Sequence, residues 1–166
     1  MSTQENLKEA FAGESQANRM YLAFSKKADQ EGMKQIAKLF RATAEAETIH
    51  AHAHFRVMGA IKSTLENLKA AAEGESYEFQ SMYPGFLAEA EKEGNKPAAM
   101  TFKYALAAER VHHDLYTKAL EAIKAGKDLE TLPIYLCPVC GNVEIGVLPE
   151  KCPICGVPKE KFVEVK

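Results

Sequence analysis

The sequence predicts an all-α four-helix bundle followed by a small C-terminal domain of strands and loops that a metal ion holds together. Three observations lead to this prediction. Apolar residues recur every three or four positions through residues 1–126. All the cysteines fall between Cys137 and Cys155, and proline and glycine interrupt the chain after residue 126. We therefore predict a helical domain over residues 1–126, a linker over 127–133 and a tetracysteine domain over 134–166.

Composition and charge exclude several classes of protein. The chain has 166 residues, of which 46% are apolar and 27% charged, as in ordinary globular proteins. Its 21 Lys and Arg balance 23 Asp and Glu, and no basic stripe is present, so nucleic acid and membrane are poor partners. We find neither a signal-peptide pattern nor an apolar run of the ~18 residues that a membrane span needs. We expect a cytoplasmic protein.

Local signals place the first two helices. Ser2 and Glu5 form a capping-box pattern at the start of the first helix, and Gly32 separates it from the second. The second helix is predicted to end near Gly59. Because the connection at Gly32 is short, we expect the two helices to be antiparallel neighbours.

The next stretch contains a second capping-box pattern, Ser63-x-x-Glu66. We expect the residues between Gly59 and Glu75 to carry the chain along the bundle, as a fold with one long crossover requires.

The third helix runs past Pro84, where we expect a bend, and ends near residues 93–97, in which glycine, asparagine and proline oppose helix continuation. The fourth helix is predicted to run from about Pro97 to Gly126.

Acidic residues lie on the inward stripes of all four predicted helices, in line with apolar residues. The second and fourth helices each carry Glu-x-x-His, and the third carries two glutamates one turn apart. The predicted ligands are Glu14, Glu47, His50, Glu75, Glu78, Glu109 and His112.

One inward glutamate is readily explained by an ion pair or by a stripe that faces solvent. Five carboxylates in one core cost several kcal/mol per ion unless a cation compensates them, and no stripe supplies Lys or Arg at that level. The pattern is that of di-iron and di-manganese bundles. We therefore predict a carboxylate-bridged dinuclear metal site. His52, His54 and His113 are left outside it, because His52 and His113 point off the stripes and His54 fits a core or supporting position.

The four cysteines form two Cys-x-x-Cys pairs, Cys137 with Cys140 and Cys152 with Cys155, and a glycine follows each pair. Such clustering is not typical of a disulfide framework, whereas four thiolates suit one tetrahedral metal ion. On its own this spacing is more often that of a structural zinc site. The neighbouring bundle favours iron instead.

The sequence resembles the rubrerythrins along essentially its whole length. The matching motifs are Phe11–Ala17 (FAGESQA), Glu47-x-x-His50, Gly74-Glu75-x-x-Glu78, Met82-Tyr83-Pro84, Glu109-x-x-His112 and the cysteine pairs. The additional carboxylate, Glu78, distinguishes the chain from ferritins. The resemblance implies a ferritin-like di-iron bundle fused to a rubredoxin-like domain.

The resemblance also implies roles for the ligands. Glu47 and Glu109 would bridge the two irons. Glu14 would be terminal on one iron, and Glu75 and His112 would be terminal on the other.

Four further roles follow from the resemblance alone. His50 and Glu78 would be alternate ligands of the first iron, exchanged when the iron is oxidised. Tyr21 and Tyr83 lie where the family has tyrosines that hydrogen-bond to site carboxylates, although packing in the core would also explain them.

The implied function is that of a non-haem di-iron peroxidase, which reduces hydrogen peroxide to water and receives electrons through the tetrathiolate iron. The electron donor would be a rubredoxin or an NAD(P)H-dependent reductase, since this chain has no glycine motif for binding a nucleotide. Two alternatives stay open: a ferritin-like protein that oxidises or stores iron, and a zinc-stabilised binding protein.

Chain geometry and the resemblance together predict at least a homodimer. The fourth helix continues to about Ala125, on the order of 20 Å beyond its ligands. A linker from Gly126 to Pro133 reaches either the same bundle or a neighbour. Because an antiparallel pair of bundles would set the end of one fourth helix beside the middle of the other, we expect the tail of one chain to serve the site of its neighbour.

Overall fold

The computed structural model describes residues 2–166 and shows two compact units, one ending at Lys62 and the other running from Ser63 to Lys166. The boundary predicted near residue 126 falls inside the second unit and stays a proposal. Within residues 2–166, every helix is too short or too polar to cross a membrane. The predicted helices and the small C-terminal region of strands are confirmed.

The first unit is a hairpin of α1 (Thr3–Gln30) and α2 (Lys34–Val57). The capping box at Ser2 is present, as predicted. The turn uses Gly32 at φ 78°, a conformation that glycine adopts without steric cost. The Asn18 side-chain amide on α1 donates to the Ala44 carbonyl at 2.7 Å and to the Thr48 hydroxyl at 2.8 Å, and so ties the two helices together.

Only small side chains are buried between these two helices. The buried residues of the described part of this unit are Ser25, Ala28, Ala37, Ala44 and Ala51. Three of the alanines recur every seventh position on α2, which lets the helices approach closely. The larger apolar side chains stay partly exposed, although complete burial of one would contribute about 1.5–3 kcal/mol. The hairpin therefore has an apolar face that its own residues do not cover.

The second unit begins with α3 (Thr64–Tyr77), which is capped by Ser63 as predicted. Residues 58–63 are the only non-helical residues between α2 and α3. The expected long crossover between Gly59 and Glu75 is therefore wrong. Alanine, leucine, lysine and glutamate dominate this stretch and favour a helix, which begins as soon as the cap allows.

The third predicted helix is divided. After α3 comes one turn of π-helix, Glu78–Met82, and then α4 (Tyr83–Lys92). Pro84 is the second residue of α4, directly after the π turn. A π turn lies just before Pro84, and the expected bend at Pro84 stays a prediction. The last helix, α5 (Lys96–Lys124), has the predicted extent and is capped by Asn95.

The C-terminal region is a three-stranded antiparallel sheet of β1 (Ile134–Leu136), β2 (Val143–Ile145) and β3 (Val163–Val165). Strand β1 lies in the centre and pairs with the other two. The buried residues here are mainly cysteines, so the metal ligands themselves form the centre of this small region.

Candidate metal centres

The first unit brings together three of the predicted ligands. Glu14 extends from α1, and Glu47 and His50 extend from α2, with one ligand atom of each lying within 4.8 Å of the others. His50 Nδ1 is 3.0 Å from Glu47 Oε2 and 3.8 Å from Glu14 Oε2. The His50 side chain is 55% exposed. We call these residues the first triad.

The second unit holds a matching group. Glu75 on α3 and Glu109 and His112 on α5 have ligand atoms within 4.8 Å of one another. His112 Nδ1 is 2.6 Å from Glu109 Oε2 and 3.7 Å from Glu75 Oε2. The His112 side chain is only 22% exposed. These residues form the second triad.

Carboxylates crowd the second triad. Partial burial, a hydrogen bond with Glu109 and the charge of Glu109 together raise the pKa of Glu75 to about 7, although the charge of His112 acts in the opposite direction. Burial and the charge of Glu109 also raise the pKa of Glu78. The ionised forms are thus destabilised when no cation is present. A divalent metal would relieve this repulsion, so the donors and their charge fit iron.

Glu78 begins the π turn and lies outside both triads, yet close enough to Glu109 and His112 to sense their charge. Tyr83 follows the turn, and burial together with the charges of Glu109, Glu78 and Glu75 raises its pKa. Tyr83 is therefore near enough to these carboxylates for their charge to oppose ionisation of its phenol. Its predicted hydrogen bond to a carboxylate remains a prediction.

Sequence reasoning missed an internal repeat that the two units share. Gly32 and Gly94 occupy the two hairpin turns, at φ 78° and 70°. Three aromatic side chains stand at the same offsets from each glycine, eleven and eight positions before it and eight after it. They are Tyr21, Phe24 and Phe40 in the first unit and Tyr83, Phe86 and Phe102 in the second.

The ring contacts agree closely between the two sets. From the tyrosine ring to the two phenylalanine rings, the centroid distances are 6.4 and 6.3 Å in the first unit and 6.2 and 6.2 Å in the second. Between the two phenylalanine rings, the distances are 5.6 and 5.7 Å. Tyr21 thus packs among phenylalanines, and its predicted hydrogen bond to a carboxylate also stays a prediction. Counting residues outward from the two Gly-centred turns would have revealed the repeat.

One difference in spacing explains the π turn. Glu47 and Glu109 each follow their turn glycine by fifteen positions, but Glu14 precedes its glycine by eighteen positions and Glu75 by nineteen. The second unit therefore has one additional residue between ligand and turn. A π turn accommodates one extra residue in a helix, so Glu75 stays in register with Glu109.

The three histidines predicted to lie outside the site belong to neither triad. His113 packs edge-on against Phe79, with ring centroids 5.4 Å apart, and His52 lines a groove with Phe11 and Arg19.

The four cysteines converge as the spacing predicts, and all of them are free thiols. Cys137 Sγ lies 3.6 Å from Cys155 Sγ, and Cys140 Sγ lies 3.5 Å from Cys152 Sγ. A tetrahedral ion with metal–sulfur bonds of about 2.3 Å would place its sulfurs about 3.8 Å apart. The thiols are therefore arranged closely enough to bind a single ion.

The two cysteine turns have the same design. The N–H of the glycine after each pair donates to the carbonyl of the first cysteine, Gly141 to Cys137 at 3.0 Å and Gly156 to Cys152 at 2.9 Å. Burial alone would raise the pKa of Cys152, but N–H groups of Cys155 and Ile154 donate to its sulfur and lower the pKa to about 7. The backbone thus favours the thiolate at Cys152, whereas burial raises the pKa of Cys140 and of Cys155.

A hydrogen bond joins the cysteine region to the second triad. His112 Nε2 lies 2.9 Å from the carbonyl oxygen of Gly141. Because a carbonyl only accepts, Nε2 carries the proton and Nδ1 is the nitrogen that faces the carboxylates. A metal-bound histidine usually has such a partner on its second nitrogen, which fixes the ring.

Within one chain, the tail lies against His112. That the tail of one chain serves the site of a neighbouring chain in a homodimer stays a prediction. Residues 125–133 bring the chain back along α5, which the linker length permits.

Comparisons with known proteins agree with this arrangement. Residues 5–120 match the family described as Rubrerythrin, and residues 135–163 match the Rubrerythrin, rubredoxin-like domain. The chain is 38% identical to Rubrerythrin-2 of Clostridium acetobutylicum, over 96% of this chain and 95% of the relative. It is 41% identical to Nigerythrin of Nitratidesulfovibrio vulgaris, over 97% and 85%. A solved structure described as the fully reduced, all-ferrous state of nigerythrin is 40% identical and covers 99% of this chain and 87% of that one, with a TM-score of 0.60.

Proposed function

The chain belongs to the rubrerythrin family, and on this basis we propose that it is a non-haem di-iron peroxidase that reduces hydrogen peroxide to water. The family is one of di-iron oxidoreductases associated with oxidative stress. The peroxidase activity, a cytoplasmic location and an NAD(P)H-linked donor, either a rubredoxin or a reductase, belong to the proposal.

One observation carries the proposal: the chain holds two matched Glu-Glu-His triads, and a tetrathiolate site touches one of them. We propose that the two triads and Glu78 meet around one pair of irons. The ligand set would be Glu14, Glu47, His50, Glu75, Glu78, Glu109 and His112. Carboxylate-rich donors of this kind suit hard iron ions.

Two irons held side by side would supply two electrons at one place, which together with two protons convert hydrogen peroxide to two molecules of water. The residues of the chain balance charge, orient a ligand and hold a proton. The carboxylates balance the charge of the metal, and His112 is held in one tautomer by Gly141. Tyr83 keeps its phenolic proton beside the carboxylates, so its hydroxyl is a hydrogen-bond donor there.

Electrons would reach the site within one chain. Gly141 follows Cys140 directly, so the path from a cysteine ligand to His112 consists of covalent bonds and one hydrogen bond of 2.9 Å. A tetrathiolate iron transfers one electron at a time, and two deliveries would restore the site after each turnover.

Anaerobic reconstitution with iron tests the proposal. We expect about three irons per chain, visible absorption from thiolate-bound iron, and faster oxidation of the reduced protein by hydrogen peroxide than by oxygen. His52→Gln is a matched control, since His52 belongs to neither triad. Zinc held tightly in the tail without visible absorption would refute the electron route, and faster reaction with oxygen would favour an iron-oxidising protein.

A further inference from the structure

We propose that Glu144 orients the buried side-chain amide of Asn142 with its oxygen towards the cysteines, and thereby lowers the reduction potential of the tail iron. Glu144 acts in this way as a positioning residue for the electron carrier. The inference rests on the proposed function, because it concerns the iron that the tetrathiolate site would hold. It follows from one hydrogen bond and from one buried oxygen atom.

Asn142 lies inside the tail, beside the first pair of cysteines. The residue is 0% exposed, as is Cys137. The Asn142 carbonyl accepts the N–H of Cys137 at 2.8 Å. Burial raises the pKa of the Cys140 thiol, and the Asn142 N–H, which donates to that sulfur, acts in the opposite direction. The backbone of Asn142 is thus bonded to both ligands of one Cys-x-x-Cys pair, so its side chain lies next to the metal site.

The two ends of the Asn142 amide have different surroundings. Nδ2 donates to Glu144 Oε1 at 2.9 Å. Oδ1 is buried and has no hydrogen-bond partner in the described part of the chain. An acceptor without a partner is unfavourable in a protein interior, so another contact must hold the amide in this orientation. The other buried side chains of the tail are those of Cys137, Cys140 and Cys152.

Glu144 provides that contact. An ionised carboxylate accepts hydrogen bonds and donates none, so it selects the nitrogen end of the amide. Its bond to Nδ2 is assisted by charge and is therefore stronger than a bond between neutral groups. Without Glu144, a half-turn of the Asn142 amide would direct its N–H groups towards the thiolates, which are good acceptors.

The orientation of the amide affects the charge that the tail iron can carry. With four thiolates, a ferrous ion carries one more negative charge than a ferric ion does. An amide oxygen beside the sulfurs opposes this additional charge, whereas N–H groups that donate to the sulfurs favour it. The orientation of Asn142 therefore favours the ferric form, and it makes the ferrous tail a stronger electron donor to the bundle irons.

Redox titration of the full-length protein, reconstituted with iron and followed by visible absorption, tests the proposal. We expect Glu144→Ala to raise the ferrous-to-ferric ratio of the tail iron about tenfold at a fixed applied potential, an upward shift of about 59 mV. Glu144→Gln should retain most of the wild-type potential, because its carbonyl still accepts from Nδ2. Glu164→Ala is a matched control and should cause no shift, since Glu164 flanks Tyr135 on the opposite side from Glu144.

A second variant changes the amide itself. Asn142→Leu should raise the potential by less than Glu144→Ala does, because it removes the inward oxygen without supplying an N–H group. In the Asn142→Leu background, Glu144→Ala should have no further effect, since the two residues act through one contact.

Two results would overturn the proposal. One is the same potential in wild type and in Glu144→Ala. The other is an equal shift in Glu144→Ala and Glu144→Gln, which would mean that the charge of Glu144 acts directly and that the amide has no role. These measurements need no peroxide turnover, so the expected shifts in a protein that does not reduce peroxide would refute the proposed function alone.

Discussion

The two hairpins carry the same ligands but hold their histidines differently. His112 is 22% exposed and is fixed by the Gly141 carbonyl, whereas His50 is 55% exposed. Only the second hairpin has an additional carboxylate, Glu78, near its triad. A ring held at both nitrogens is suited to permanent ligation and electron entry, and an exposed ring is suited to leaving the metal. The comparison thus gives a physical reason for the implied exchange of His50 for Glu78.

The largest effect is expected when the tail loses one of its four thiolates. Cys155→Ser should lower steady-state peroxide turnover by at least about 100-fold, because the tail iron is no longer held by four thiolates. The same variant, reduced chemically, should still consume peroxide in a single turnover.

Stopped-flow absorption of the reduced variant provides the measurement. Glu78→Ala is the complementary variant and should keep a reducible tail iron while reacting slowly with peroxide relative to oxygen. Loss of the single turnover in Cys155→Ser, with the bundle folded and iron-loaded, would contradict the separation of roles.

The two histidines provide the sharpest comparison. Loss of the group that orients a metal ligand typically weakens metal binding by roughly 10–100-fold. His112→Gln removes the ligand itself, so it should weaken iron binding in the bundle by at least this factor. The variant should also slow electron transfer from the tail. His50→Gln should weaken binding by only a few-fold. Iron titration of both variants, followed by the rate of di-iron reduction, measures the difference. Equal effects in the two variants would mean that the Gly141 contact has no role.

A smaller effect is expected on the stability of the metal-free protein. The pKa of Glu75 is about 7 in the folded state, well above the 4.5 of an unperturbed glutamate. Between these values the folded state binds more protons, so stability should be highest below about pH 4.5 and should fall as the pH rises towards 7.

Thermal unfolding of the metal-free protein from pH 5 to 8 tests this, and Glu75→Gln should flatten the dependence. Binding of Mn²⁺ should release protons near pH 6, since the metal requires the ionised carboxylate. If the melting temperature of wild type rises over this range, the pH dependence of stability is set by a group other than Glu75.

The smallest expected effect concerns the tyrosines. Tyr83 senses the charges of three carboxylates, whereas Tyr21 packs among phenylalanines. Tyr83→Phe should slow the reaction with peroxide by a few-fold, and Tyr21→Phe should change it less. Single-turnover rates of both variants at equal iron content measure this, and the reverse order would place the proton donor in the first hairpin.

Much of this structure could be predicted from the sequence because its signals are local. The capping boxes at Ser2 and Ser63 and the cysteine turns depend on residues three or four positions apart. The ligands of each triad lie on regular helices, so periodicity finds them. The crossover was predicted wrongly because Gly59 and the following residues do not reveal how soon a helix restarts. The Gly141 contact joins residues 29 positions apart, which no local pattern encodes.

The π turn lets the second hairpin contain one residue more than the first between its ligand and its turn. One extra residue in a regular helix turns everything beyond it by about 100°, which would have moved Tyr83 and Phe86 away from Phe102. By confining the extra residue to Glu78–Met82, the helix keeps both its ligand end and its turn end aligned. The second hairpin thus holds a segment of its own geometry, with Glu78 at its start, while its triad and its aromatic group keep the arrangement found in the first hairpin.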